Sequence, residues 1–170
     1  MIPLLPRPVL AGAALLLGLF AATAAAEVRV RVEGLSGDLR DNVEARLGLK
    51  ARAEKESLDE SQIRRLHQRA SADIREALQP FGHYAPIIDA KLEPAGEDWN
   101  ATYIVDAGPA TRVVGINTQF SGEGAEFEPL TRRLRRLPLK LDEQLRHADY
   151  EATKKRMSDA ALANGFLDAQ

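Results

Sequence analysis

The side chains best suited to chemistry in this 170-residue chain are three histidines, His67, His83 and His147, far apart and forming no His-x-x-x-His pair. A metal centre needs three or four converging ligands; with no cysteine in the chain, the rest would be carboxylates gathered from several elements. The lack of cysteine also removes thiol chemistry and disulfides, so an exported form relies on packing. No Gly-x-Ser-x-Gly elbow or phosphate-cradling glycine loop occurs, and Gly122-Glu123-Gly124, without the lysine of a nucleotide site, reads as a turn. Each histidine is accordingly structural: His67 beside an apolar stripe, His83 at a strand entrance, His147 near a helix start. No catalytic, cofactor-binding or metal residue is expected, and no enzyme.

The densest charge is basic: Arg132, Arg133, Arg135 and Arg136, with Lys140 nearby. Against anionic headgroups such a run is worth about 1 kcal/mol per charge. Interleaved Leu130, Leu134 and Leu137 equally make it the wetted face of an amphipathic helix. With 23 basic against 25 acidic side chains, net charge −2, and no aromatics within the run, nucleic acid is not an expected partner.

Local order around these residues begins with residues 1–26. One positive charge, Arg7, precedes an apolar run from Val9 to Ala22 and then Ala24-Ala25-Ala26, the layout of a signal peptide cut before Glu27. The apolar run is short for the roughly 20 residues of a membrane span. Val28, Val30 and Val32 then alternate with Arg29, Arg31 and Glu33, as in a half-buried strand. After a turn at residues 34–37, Leu39, Val43 and Leu47 make a short helix stopped by Gly48, followed by a polar connection. Ser57-Leu58-Asp59-Glu60 has capping-box spacing. The helix it opens carries Ile63, Leu66, Ala70, Ile74, Ala77, Leu78 and Phe81 on one face. Extended segments are expected at 84–92 and 100–105, around a hairpin loop at 93–98.

The pattern then restarts. Arg112 to Phe120 reads as a strand, and Phe127, Leu130, Leu134 and Leu137 as a helix ended by Pro138. Asp149 is the expected N-cap of a second helix striped by Tyr150, Met157, Ala160 and Ala161. Both long helices stop at glycine before a ring, at Gly82-His83-Tyr84 and Gly165-Phe166, where a left-handed residue suits the helix exit. The chain therefore reads as an α+β protein with a signal peptide at 1–26, one β-α-α-β-β unit at 27–107, and a second at 108–170 lacking most of its last two strands.

This order resembles the polypeptide-transport-associated (POTRA) domains of the BamA/TamA superfamily, most of all the TamA family. The resemblance lies in residues 28–37 with Asn42-Val43, in residues 74–78 through 82–86, and in Asp149-Tyr150-Glu151 with Lys154-Lys155 through 165–168. His83 stands where the family usually has an aromatic residue, which predicts a less apolar strand anchor. The resemblance implies tandem domains, each a three-stranded mixed sheet covered on one face by two helices. It implies the periplasmic face of the outer membrane, reached through further POTRA units and a barrel missing from this chain. No lipid-facing strand of roughly nine to eleven residues ends the sequence, so membrane insertion is not expected of these residues. Implied partners are a TamB-like inner-membrane-anchored protein and unfolded outer-membrane clients such as autotransporters. A BamA-type assembly factor and a POTRA-bearing division protein are the alternatives. In the family arrangement the third strand is central and the second lies on an edge. Tyr84, Ile87, Ile88, Asp89, Ala90, Lys91 and Leu92 are therefore the expected peptide-pairing edge, recognising backbone rather than side chains.

Overall fold

The computed structural model describes residues 27–118, 122, 127, 128, 132 and 136–166. The expected signal peptide therefore lies outside the described residues, as does most of the expected helix between Phe127 and Leu137. Among the described residues no helix is long and apolar enough to cross a membrane.

Strand β1, Val28–Glu33, turns its valines toward the core and Arg29, Arg31 and Glu33 to water, as the alternation predicts. Gly34 ends it at φ +87°, where a Cβ would come within 2.3 Å of the Val105 carbonyl oxygen; only glycine lets the chain pass there. Helix α1, Gly37–Arg46, buries Val43. Gly48 does not simply stop it. Leu47 closes α1 and caps a further helix, α2, Gly48–Ala53, where a polar connection was expected. Leu47 and Leu49 are fully buried, and the Gly48 N–H is held at 3.1 Å by Asp73 Oδ2 from 25 residues away. Glu44 ties the pair together by bonding Arg40 of α1 and Lys50 of α2, and these two cations, Lys50 foremost, hold its carboxyl below the usual range.

Helix α3, Glu60–Leu78, starts one cap later than expected. Asp59, not Ser57, is the N-cap: its Oδ1 accepts the Gln62 N–H at 2.9 Å, and Gln62 Oε1 accepts the Asp59 N–H at 3.0 Å. Ser57-x-x-Glu60 and Asp59-x-x-Gln62 both satisfy capping-box spacing. Burial of Leu58 accompanies the second choice. Ile63, Ala70, Ile74, Ala77 and Leu78 are buried on the expected face, and a 3₁₀ turn, Gln79–Phe81, leads to Gly82.

Two strands complete the unit, each displaced from its expected bounds. They are β2, Ile87–Ala95, and β3, Asp98–Asp106, joined by a two-residue turn at Gly96-Glu97 rather than a loop over 93–98. The sheet order is β1-β3-β2, with β3 central, parallel to β1 and antiparallel to β2. Helices cover one face, over Val32, Trp99, Ala101, Tyr103 and Val105.

Beyond residue 107 the expectations hold less well. Residues 112–118 form no strand beyond one isolated bridge, Arg112 to Gln144. Helix α4, His147–Ala163, is capped by Arg146, so Asp149 sits in its first turn instead. Of the expected stripe, Ala160 and Ala161 are buried together with Thr153, while Tyr150 is exposed.

Inside the core, the hydroxyl of fully buried Tyr103 lies 3.0 Å from His67 Nδ1, a hydrogen bond between the two side chains. Burial pushes the His67 imidazole below its ordinary value and the Tyr103 phenol above its own. Below about pH 6.5 the unfolded chain therefore binds a proton that native His67 refuses, and stability falls until the pH reaches the depressed native value. We expect His67→Asn, which keeps an acceptor near Nδ1, to flatten that part of the loss between pH 7 and pH 5 in urea midpoints. Tyr103→Phe should cost about 0.5–1.5 kcal/mol at pH 7.

Candidate functional site

Which backbone groups of β2 face outward follows from one bond in the sheet. The Trp99 N–H donates to the Glu27 carbonyl at 2.9 Å, so the backbone groups of Trp99 point toward β1. Directions alternate along a strand, so those of Asp98, Asn100, Thr102, Ile104 and Asp106 point toward β2. Their register partners Ala95, Glu93, Lys91, Asp89 and Ile87 make the ladder. The N–H groups of Ile88, Ala90 and Leu92 consequently point away from the sheet. No backbone partner for them occurs among the described residues. Pro94 falls in the same outward row, the place where a strand tolerates a residue without an N–H.

The expected edge is thus present but not with the expected limits. Ile88, Ala90 and Leu92 set their side chains against the core, while Ile87, Asp89, Lys91 and Glu93 face the open side. Ile87 is 73% exposed there, and Lys91 pairs with Asp89 at 3.2 Å. Pro94 and Ala95 also belong to the edge, although a proline beside Ala95-Gly96 reads locally as loop. Tyr84 does not belong to it: the strand begins at Ile87, after buried Pro86.

Tyr84 instead belongs to a joint. Gly82, at φ +77°, accepts the Thr111 N–H at 2.9 Å, and the Thr111 carbonyl accepts the Leu145 N–H at 2.8 Å, so three distant segments meet side by side. The Gln144 side-chain amide donates to the Phe81 carbonyl at 2.7 Å. Tyr84 Oη lies 2.9 Å from His147 Nε2. Arg146 spans the joint, 5.5 Å above the Phe81 ring and 3.6 Å from Asp38. His83 is a buried clamp, 8% exposed, whose Nδ1–H donates to the Ala107 and Gly108 carbonyls. Gln144, Leu145 and Arg146 carry no local signal for this role, since their partners, Phe81, Thr111 and Asp38 among them, are distant in sequence.

The other sequence candidates are dispersed. Arg132 pairs with Glu128 at 3.2 Å, the Arg136 carbonyl accepts from Arg156, and Arg133 and Arg135 lie outside the described residues. Gly165 has φ +87°, and Phe166 meets Phe127 edge-on at 5.7 Å. His67, His83 and His147 are each tied to a different partner. Among the described residues no group of three His, Asp or Glu could hold a metal ion.

The family model for the POTRA domain of TamA, domain 1, matches residues 29–107. That span runs from the second residue of β1 to the residue after β3, taking in the three-stranded sheet and α1 to α3. Over residues 29–107 the chain thus matches a POTRA domain of the TamA type, which supports a periplasmic region of an outer-membrane assembly factor.

Proposed function

We propose that this chain is a docking module, with no reaction of its own, that holds extended segments of unfolded outer-membrane proteins, autotransporters among them, at the outer edge of β2. A TamB-like inner-membrane-anchored protein is the proposed second partner, and the route into the membrane is a barrel outside these residues. Residues 108–170 are proposed as a second unit of the same kind, since α4 also ends at a left-handed glycine before a ring. The single observation that carries the reading is the outward row of N–H groups on Ile88, Ala90 and Leu92, without backbone partners among the described residues, to which a polypeptide of any sequence can add. Main-chain pairing suits a handler of many clients, because it does not demand particular side chains.

Photoreactive groups placed singly at Ile87, Asp89, Lys91 and Glu93 are expected to crosslink to an unfolded outer-membrane client or to the TamB-like partner. Groups at Arg132 and Arg136 should not. Crosslinks confined to the two arginines would replace edge pairing by attraction to a charged face.

A further inference from the structure

Helix α3 walls the β2 edge on its covered side. Residues on a helix turn by about 100° each. Asp73 bonds the Gly48 N–H, and Leu66 lies beside Gly48, so these two mark the flank of α3 turned to α2. Since α2 packs on β1 and α3 on β2, the opposite flank overhangs the outer edge of β2. About half a revolution from Leu66 and Asp73, it carries Arg64, Gln68, Ser71 and Arg75.

The order along that wall is fixed by contacts to β3. Arg64 lies 4.9 Å above the ring of Trp99, the register partner of Pro94. His67 meets Tyr103, the partner of Ala90. Helix α3 therefore runs opposite to β2, with Arg64 toward Pro94 and Arg75 toward Ile88. Arg64 shares its charge with Glu60 at 2.7 Å. Arg75 is exposed and donates to the Ser71 carbonyl at 3.4 Å, with no ion pair among the described residues. On the open side, by contrast, Asp89 and Lys91 neutralise one another.

A strand added to β2 alternates its side chains between the two sides. Those on the helix side face the flank of α3 that carries Arg64 and Arg75, whose backbones are about 16 Å apart along the helix, and Arg64 reaches them by swinging away from the Trp99 ring. Same-side residues four apart in a strand span about 13 Å, a mismatch that two long arginine side chains absorb. Arginine binds carboxylate by a pair of charge-assisted bonds. With β2 as a pairing edge, the reading on which this rests, we infer that the groove selects extended polypeptide segments bearing two carboxylates four residues apart, seated on Arg75 and Arg64.

Three labelled β-prone peptides of about nine residues test this by fluorescence anisotropy with the full chain at low salt: glutamates four apart, glutamines at the same places, and glutamates three apart, on opposite sides. The first should bind about tenfold more tightly than the others. Arg75→Gln should remove most of that advantage, and Ala90→Pro, with its fold checked by circular dichroism, should abolish binding of all three. A version of the first peptide N-methylated at alternate residues repeats the last arm without altering the protein. Equal binding of the three peptides, lost in Ala90→Pro, would overturn the carboxylate selection and leave the edge intact. An acidic preference surviving both Ala90→Pro and N-methylation would also overturn it, as attraction to α3 without strand pairing. Failure of every peptide to bind would sink the edge reading itself.

Discussion

Ala90→Pro is expected to leave the first domain folded while abolishing client capture, whereas Lys91→Pro, one residue along, should cost about 3 kcal/mol and lower the melting midpoint by on the order of 15 °C. Neither substitution removes a large core side chain, so the contrast isolates the backbone. The Lys91 N–H points into the ladder toward Thr102, and removing it leaves a carbonyl on the central strand unpaired. The Ala90 N–H points outward and has no backbone partner among the described residues, and Pro94 already occupies the same row. Melting curves and client crosslinking, measured on both variants, decide the matter together. If Ala90→Pro unfolds the domain as Lys91→Pro does, the assignment of outward groups is wrong. If Ala90→Pro folds and still captures clients, strand addition is not the means of binding.

Patterns confined to a few neighbouring residues were legible in the sequence. The valine alternation gave β1, and the stripe from Ile63 to Leu78 gave α3, since each needs one period and one face. What failed depended on distant partners. Helix α2 has too few apolar residues to show a period; the buried Leu49 and the cap from Asp73 belong to the folded arrangement alone. The end of β2 was misplaced because proline and glycine mark turns in general, and only the sheet register reveals that the missing N–H of Pro94 faces away from β3. Tyr84 reads from sequence as part of the edge for a related reason. An aromatic residue after a helix-ending glycine resembles a strand start, while its actual partner, His147, is 63 residues further on. The segment at 112–118 alternates enough to suggest a strand, yet among the described residues it makes one isolated bridge, to a segment at 142–145 far along the chain.

The joint that sequence could not show requires glycine at position 82. Gly82→Ala should separate the two halves of the chain before it unfolds the first. A methyl group at Gly82 would stand 2.5 Å from the Leu145 carbonyl oxygen, part of a backbone that can yield only by moving away. The left-handed φ of +77° adds a penalty of about 1–2 kcal/mol for any residue with a Cβ. Moving the segment from Asp142 to His147 breaks the Gly82–Thr111–Leu145 row and draws Gln144 and His147 from Phe81 and Tyr84. Amide exchange at Thr111 and Leu145 should therefore accelerate by at least about tenfold, equivalent to 1.4 kcal/mol, beyond any change at Ala101 or Val105 in the central strand. Tyr84→Phe is the milder comparison, because it removes one exposed hydrogen bond, worth about 0.5–1.5 kcal/mol, and leaves the backbone row intact. If Gly82→Ala instead accelerates all four amides equally, the joint is not a separable contact but part of the folding of the first domain. Acceleration at Thr111 and Leu145 equal to that in Tyr84→Phe would mean that the close backbone approach at Gly82 contributes nothing to holding the halves together.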